Sequence, residues 1–216
     1  LTTDIKMQYF KSLPKIIYTD KNNVSTLYTN LLARVSVIPS VLNNALAFYS
    51  YDVQNDDTPE IVAYKYYGDI YRYWMVLYCN EMLDPQWDWP LSGNKFEDYV
   101  DRKYVSGGGH SAIRHYEKIV TKTNRTNGTD FDLTTSVEKY EISGEEFLSL
   151  LYSSVNGIAS STSYTFNTGV VNVTIQPKAV TYYEYEYDLN ESKRKIKLLN
   201  KIYADQLESE FVNLMK

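Results

Sequence analysis

The chain has one cysteine, Cys79, and two histidines, His110 and His115, among 216 residues. A lone cysteine excludes an intrachain disulfide framework. The length makes such staples unnecessary, because a compact chain of this size buries roughly 70% of its unfolded surface and can form one or two domains. That fits a reducing compartment or a protein that needs no covalent help. Cys79 falls inside an apolar helical pattern, which argues for packing over a reactive thiol. Positive charge is also short: 22 Lys and Arg against 27 Asp and Glu leave a net −5. A nucleic-acid partner, which needs a basic stripe, is not expected. No apolar run approaches the ~20 residues of a membrane span, so no membrane partner is expected either. The opening LTTDIK is polar and unlike a secretory signal; the start is read at Met7, or at Leu1 through an alternative start codon. Without secretion, Asn-x-Thr triplets such as Asn124-Arg125-Thr126 carry little meaning.

Catalytic chemistry is equally thin. The histidines have no further ligands at metal spacing, so no metal or other cofactor is expected. Three glycines precede His110, but no Lys-Ser/Thr pair and no βαβ pattern makes them a phosphate loop. Nothing supports a Ser-His-Asp or Cys-His arrangement. Asp56-Asp57 and Glu145-Glu146 each precede a helical pattern, where negative charge favours the helix start. Paired glycosidase acids are the lesser reading, and an enzyme is not expected.

What the chain does have is tyrosine, 22 of them. They are densest in DDTPEIVAYKYYGDIYRYWMVLYCN, from Asp56 to Asn80. Asp57 or Thr58 can cap a helix that has Pro59 at its first position, and Gly68 sits where a left-handed residue would end it. A second helix from about Asp69 carries Ile70, Tyr73, Trp74, Leu77 and Tyr78 as one stripe, with Asn80 as its stop. Before it, residues 7–22 read as an extended arm or an edge strand, 24–37 as a short helix or a strand, and 44–53 as ending in a strand. After it, Phe96 to Val100 reads as a short strand or helix. Hairpins follow over 114–142, turning at Asn127-Gly128, and over 163–175, turning at Asn167-Thr168-Gly169; a short helix over 144–155 lies between them. TYYEYEYD (181–188) alternates tyrosine with acid and reads as a strand, Tyr183, Tyr185 and Tyr187 on one face. Ile196, Leu199, Tyr203, Leu207, Phe211 and Leu214 step by three or four, predicting one helix from Asn190 to Lys216 about 35–40 Å long. That helix either docks on a partner or packs back on its own domain. Its removal is expected to leave a soluble fold.

Two family resemblances rest on these residues. Tyr51-Asp52-Val53, DDTPEIVAYKYYGD and YWMVLYCN resemble a LysM module, whose fold is βααβ and whose free-standing members bind N-acetylglucosamine polymers. Its closing strand is echoed only loosely, by SGNKFEDYV. YKYYGDIYRYWMVLYCNEMLDPQWDWPLS is also similar to the baseplate wedge subunit of contractile-tailed bacteriophages, the gene product fifty-three family, which embeds a LysM-like fold in a structural protein. The arm MQYFKSLPKIIY, HYEKI at 115–119 and the terminal RKIKLLNKIYADQLESEFVNLM fit the same family. Residues 120–187 carry no resemblance.

The second resemblance, taken with the hairpins and the terminal helix read from the residues above, implies an α+β fold: a LysM-like βααβ module with additional β-hairpins and a long C-terminal helix. Residues 1–48 would be an N-terminal arm with a short helix or strand, 49–100 the module, 101–187 a β-rich hairpin region with a short helix, and 188–216 a docking helix. It also implies a structural component that clamps the helical wedge core and joins neighbouring wedges, six copies per baseplate, with sheath-initiator or tube-proximal proteins as further partners. The alternative is a LysM-type peptidoglycan binder. Trp87 and Trp89, bracketed by prolines, are the type of rigid aromatic found at interface hot spots, unless they cap the module's own core. Tyr183 and Tyr185 could form a pairing edge, and Leu199, Tyr203, Leu207 and Phe211 the docking face of the terminal helix.

Overall fold

A computed structural model of the chain describes residues 9–33, 35–37, 39–105, 108–126, 133–166 and 169–215. Met7 and the turn residues Asn127-Gly128 and Asn167-Thr168 lie outside these. In chain order the elements are α1 (Tyr9–Ser12), β1 (Lys15–Thr19), β2 (Ser25–Thr29), α2 (Pro39–Leu42), β3 (Phe48–Asp52), α3 (Pro59–Tyr67), α4 (Tyr73–Cys79), α5 (Pro85–Asp88), α6 (Gly93–Lys103), β4 (Ile113–Thr126), β5 (Leu133–Ile142), α7 (Gly144–Ser153), β6 (Ser160–Phe166), β7 (Gly169–Thr181), α8 (Tyr182–Ser192), β8 (Lys195–Leu199) and α9 (Lys201–Leu214). The mixture is α+β. Two compact units divide it, one from Leu1–Gly93 with Asn190–Lys216 and one from Asn94–Leu189. These limits differ from the sequence boundaries at 48, 100 and 187, because the first unit closes with residues from the far end of the chain.

In the first unit, Thr58 caps α3, its hydroxyl accepting from the Ile61 N–H, with Pro59 at the first helical position. Gly68 ends the helix at φ 75°, a left-handed conformation in which a Cβ would be strained. A single 3-10 turn, Ile70–Arg72, leads into α4. These are the capped helix, glycine break and second helix that the sequence predicts. The strand that pairs with β3 is not in SGNKFEDYV, which is helical in α6. It is β8, antiparallel to β3 from Phe48↔Leu199 to Asp52↔Lys195. The single long terminal helix is therefore corrected. Lys195–Leu199 alternates basic and apolar residues, with Ile196 and Leu198 buried. Asn200 then caps α9 by accepting from the Ile202 N–H, and the helix has 14 residues, about 21 Å.

Two apolar clusters hold this unit. Val53, Val62, Ala63, Val76, Trp89, Ile196 and Leu198 form one. Leu13, Trp74, Met75, Ala204, Phe211 and Met215 form the other. Both draw on residues beyond 190, so removing Asn190 to Lys216 opens the core, contrary to the expectation of a soluble remainder. The arm holds an edge strand, as one of its two readings has it: β1 pairs with β2 as a hairpin from Lys15↔Thr29 to Thr19↔Ser25, while the short helix α1 precedes it.

The second unit is built on an antiparallel sheet of order β5-β4-β7-β6. Its two hairpins follow the predicted ones. Ser143 caps α7, accepting from the Glu146 N–H at 3.1 Å, and Phe147 stacks on Tyr116 with ring centroids 4.4 Å apart. The predicted strand over 181–188 is a helix instead. Thr181 and Glu184 form a capping box: the Thr181 hydroxyl accepts from the Glu184 N–H at 3.2 Å, and the Glu184 carboxylate accepts from the Thr181 N–H at 3.0 Å. Tyr183 and Tyr187, one helical turn apart, both pack edge-on against buried Phe96.

Candidate interaction site

The first unit's polar interior is structural. Asp57 is buried; its carboxylate accepts from Lys65 Nζ at 2.6 Å, from the Tyr51 hydroxyl at 2.8 Å and from the Gln54 N–H at 3.0 Å. Burial pushes this carboxyl up, but those hydrogen bonds outweigh it and hold the group below the usual carboxylate range. Burial, then the bond to Asp57, pushes the Tyr51 phenol up to about 12. The Trp89 indole N–H donates to the Asp57 carbonyl at 2.8 Å. Asn80 extends the ladder of β8, accepting from the Lys197 N–H and donating to the Lys197 carbonyl, each at 2.8 Å. Burial pushes the Cys79 thiol up to about 12, which keeps it protonated and unreactive at neutral pH. Among the described residues, no group of His, Cys, Asp and Glu could hold a metal ion, and no helix is long and apolar enough to cross a membrane.

The residues marked out for partners divide sharply. Trp89 is 7% exposed, Leu199 4% and Phe211 2%, so all three fill this chain's own core. Trp87 is 58% exposed on α5, where the Asp84 carboxylate caps the turn by accepting from the Gln86 N–H. Tyr203 is exposed, and Leu207 is half-buried against the second cluster. Tyr183 and Tyr185 belong to no strand edge. Tyr183 faces Phe96, while the Arg114 guanidinium lies 3.6 Å from the centre of the Tyr185 ring, a cation–π contact.

Two surfaces of the first unit escaped sequence reasoning. The first is the β1–β2 hairpin. Asp20 shapes its turn by accepting from the Asn22 and Val24 N–H groups at 2.8 and 2.9 Å, with Asn23 left-handed at φ 61°. Ile16, Ile17, Tyr18, Leu27 and Tyr28 are all exposed on it. Ile16 to Tyr18 suit a strand, but the ambiguity between helix and strand over 24–37 leaves their partner open. The second is a cleft of about 520 Å³ between α1, residues 31–37, α4 and residues 81–85. Leu13, Val35, Trp74, Leu77 and Met82 are among its apolar walls, and Glu81 is the one charged residue among the described lining. Trp74 is buried within an aromatic cluster with Tyr9, Tyr78 and Phe211. No local signal in the sequence places α1 beside α4, since 69 residues separate Tyr9 from Tyr78.

Exposed apolar patches mark surfaces that contact a protein, a membrane or a ligand. Comparisons with known proteins supply the family. Residues 13–216 match the family model described as "Base plate wedge protein 53". A 74-residue stretch is 32% identical to the baseplate wedge protein gp53 of Enterobacteria phage T4, covering 33% of this chain and 38% of that relative.

Proposed function

Since the chain belongs to the base plate wedge protein 53 family and is a structural protein of the phage tail baseplate, we propose that it clamps the wedge core and joins neighbouring wedges. Family membership over 13–216 is the observation that carries this reading. The matched stretch spans only 38% of the T4 protein's length, so the partners are proposed and not carried across. The partner-facing residues are those that remain exposed: Trp87, Tyr203 and the apolar side chains of the β1–β2 hairpin. We further propose that β3, α3, α4 and β8 are the βααβ unit of a LysM-like module, with residues 94–189 inserted before its last strand. The antiparallel pairing of β3 with β8 and the two helices that follow β3 support this.

Co-purification of the full chain with baseplate wedge proteins, set beside pull-down on purified peptidoglycan, tests the reading. Capture by wedge proteins is expected. Retention on peptidoglycan without wedge binding would reverse the conclusion in favour of a LysM-type carbohydrate binder.

A further inference from the structure

We infer that the β1–β2 hairpin of one copy seats in the apolar cleft of a second copy of this chain. Both surfaces lie on the first unit, and no described residue of that unit covers the hairpin's exposed side chains or closes the cleft. The hairpin has only two strands, and such a hairpin is marginal in water unless something packs on it. Ile17 opposes Leu27 on one face, with Lys15 beside them. Ile17 is 73% exposed, and neither strand contains a buried residue.

The cleft has the complementary form and sign. Its volume of about 520 Å³ is ample for two aliphatic side chains, and its walls are mostly apolar. Among the described residues of its lining Glu81 is the charged one, while Lys15 is the charged group on the Ile17–Leu27 face. An aliphatic pair beside a lysine therefore meets an apolar, partly aromatic cleft beside a carboxylate. The chain's own hairpin is poorly placed for the role. Leu13 and Leu31, just outside the two strands, already form part of the cleft wall. The Asn30 N–H donates to the Pro14 carbonyl at 2.8 Å and closes the hairpin's base there. Folding back into the cleft would break that base. Pairing two hairpins with each other would leave both clefts uncovered.

A knob on one copy and a hole on the next make a heterologous contact, which generates a ring when its rotation closes. The inference deepens the proposed joining of wedges and rests on that reading for where the copies meet. The contact itself is a property of the isolated chain.

Ile17→Cys and Leu83→Cys chains, purified separately, would be mixed at high concentration and treated with a short bis-maleimide. Leu83 lines the cleft and is exposed, so neither change disturbs the core; native Cys79 is buried and does not compete. A crosslinked dimer joining the two different chains is expected. Adding Leu27→Asp to the Ile17→Cys chain, which itself stays apolar at position 17, should lower its yield roughly tenfold or more, because it sets a carboxylate against an apolar wall that already holds Glu81. Circular dichroism and melting of each variant should match the parent. A well-folded mixture with no mixed dimer overturns the inference. So does a product that joins only Ile17→Cys chains to each other, or an Ile17→Cys/Leu83→Cys chain that crosslinks only within itself. Failure of the unaltered chain to co-purify with wedge proteins would instead sink the baseplate reading, whatever the crosslink shows.

Discussion

Trp89 and Asp57 show how single residues that looked functional serve the fold. Tryptophan between prolines reads equally well as an interface anchor or a core cap, because sequence does not tell which way a ring points. The indole bond to the Asp57 carbonyl decides it for Trp89, and exposure decides the opposite for Trp87, two residues earlier. Trp89→Phe should keep most of the apolar volume but orphan that carbonyl, costing about 1–3 kcal/mol in chemical denaturation. Trp87→Ala should leave the same curve within about 0.5 kcal/mol, as surface changes do. Acid sensitivity belongs to this scale too. Asp57 titrates below its ordinary range, and so does Glu186, where burial is outweighed by bonds from Lys103 and Tyr104. The unfolded chain regains ordinary values of about 4 and so binds these protons first as pH falls. Their stabilisation is therefore complete above about pH 4.5 and is lost as pH drops through the lower folded values. Glu208, raised mainly by burial, contributes in the opposite sense, favouring the folded state on the acid side. Asp57→Asn should flatten the fall in stability between about pH 4.5 and 2; an unchanged acid limb would remove Asp57 as a cause.

Elements were legible where the local signal was chemical and ambiguous where it was only periodic. Thr58-Pro59 and Gly68 are capping signals that act within a turn of themselves, and the helix they bound appears as the sequence predicts. TYYEYEYD shows the reverse. Its strict alternation suits a strand, yet the same letters contain Thr181 and Glu184 at capping-box spacing. The box won because the helix also places Tyr183 and Tyr187 on Phe96 and brings Glu186 to Lys103 at 2.9 Å. Thr181→Ala should cost about 0.5–2 kcal/mol and speed hydrogen exchange at the first amides of α8. Unaltered exchange there would mean the box does not hold the helix end. The terminal segment misled for a related reason. Ile196 and Leu199 stand three apart, as on a helix, but Lys195 and Lys197 alternate with Ile196 and Leu198, as on a strand. Pairing with β3, 143 residues away by the Asp52↔Lys195 register, settled it, and no local window contains that partner.

At the scale of the whole molecule, chain order and spatial order part company. Sequence reading assigns a module's closing strand to the nearest downstream candidate, whereas the first unit takes β8 from beyond residues 94–189. The two chain ends that bracket this excursion are tied to each other within the first unit. The Asn190 carboxamide accepts from the Leu91 N–H at 2.7 Å and donates to the Leu91 carbonyl at 3.0 Å. A short connection can therefore replace everything between them without stretching the fold. A chain in which residues 94–189 give way to a flexible linker of about four residues should keep both apolar clusters of the first unit, since no member of either lies in the excised span. It should unfold in one cooperative transition with the near-ultraviolet dichroism of a packed Trp74 and Trp89. A non-cooperative melt without that dichroism would show that the first unit depends on the second. Asn190→Ala in the full chain gives the complementary measurement. It orphans both backbone groups of Leu91 and should destabilise the first unit by about 1–3 kcal/mol while leaving protection of the β4–β7 amides unchanged. Equal loss of protection in both would mean the two units unfold as one.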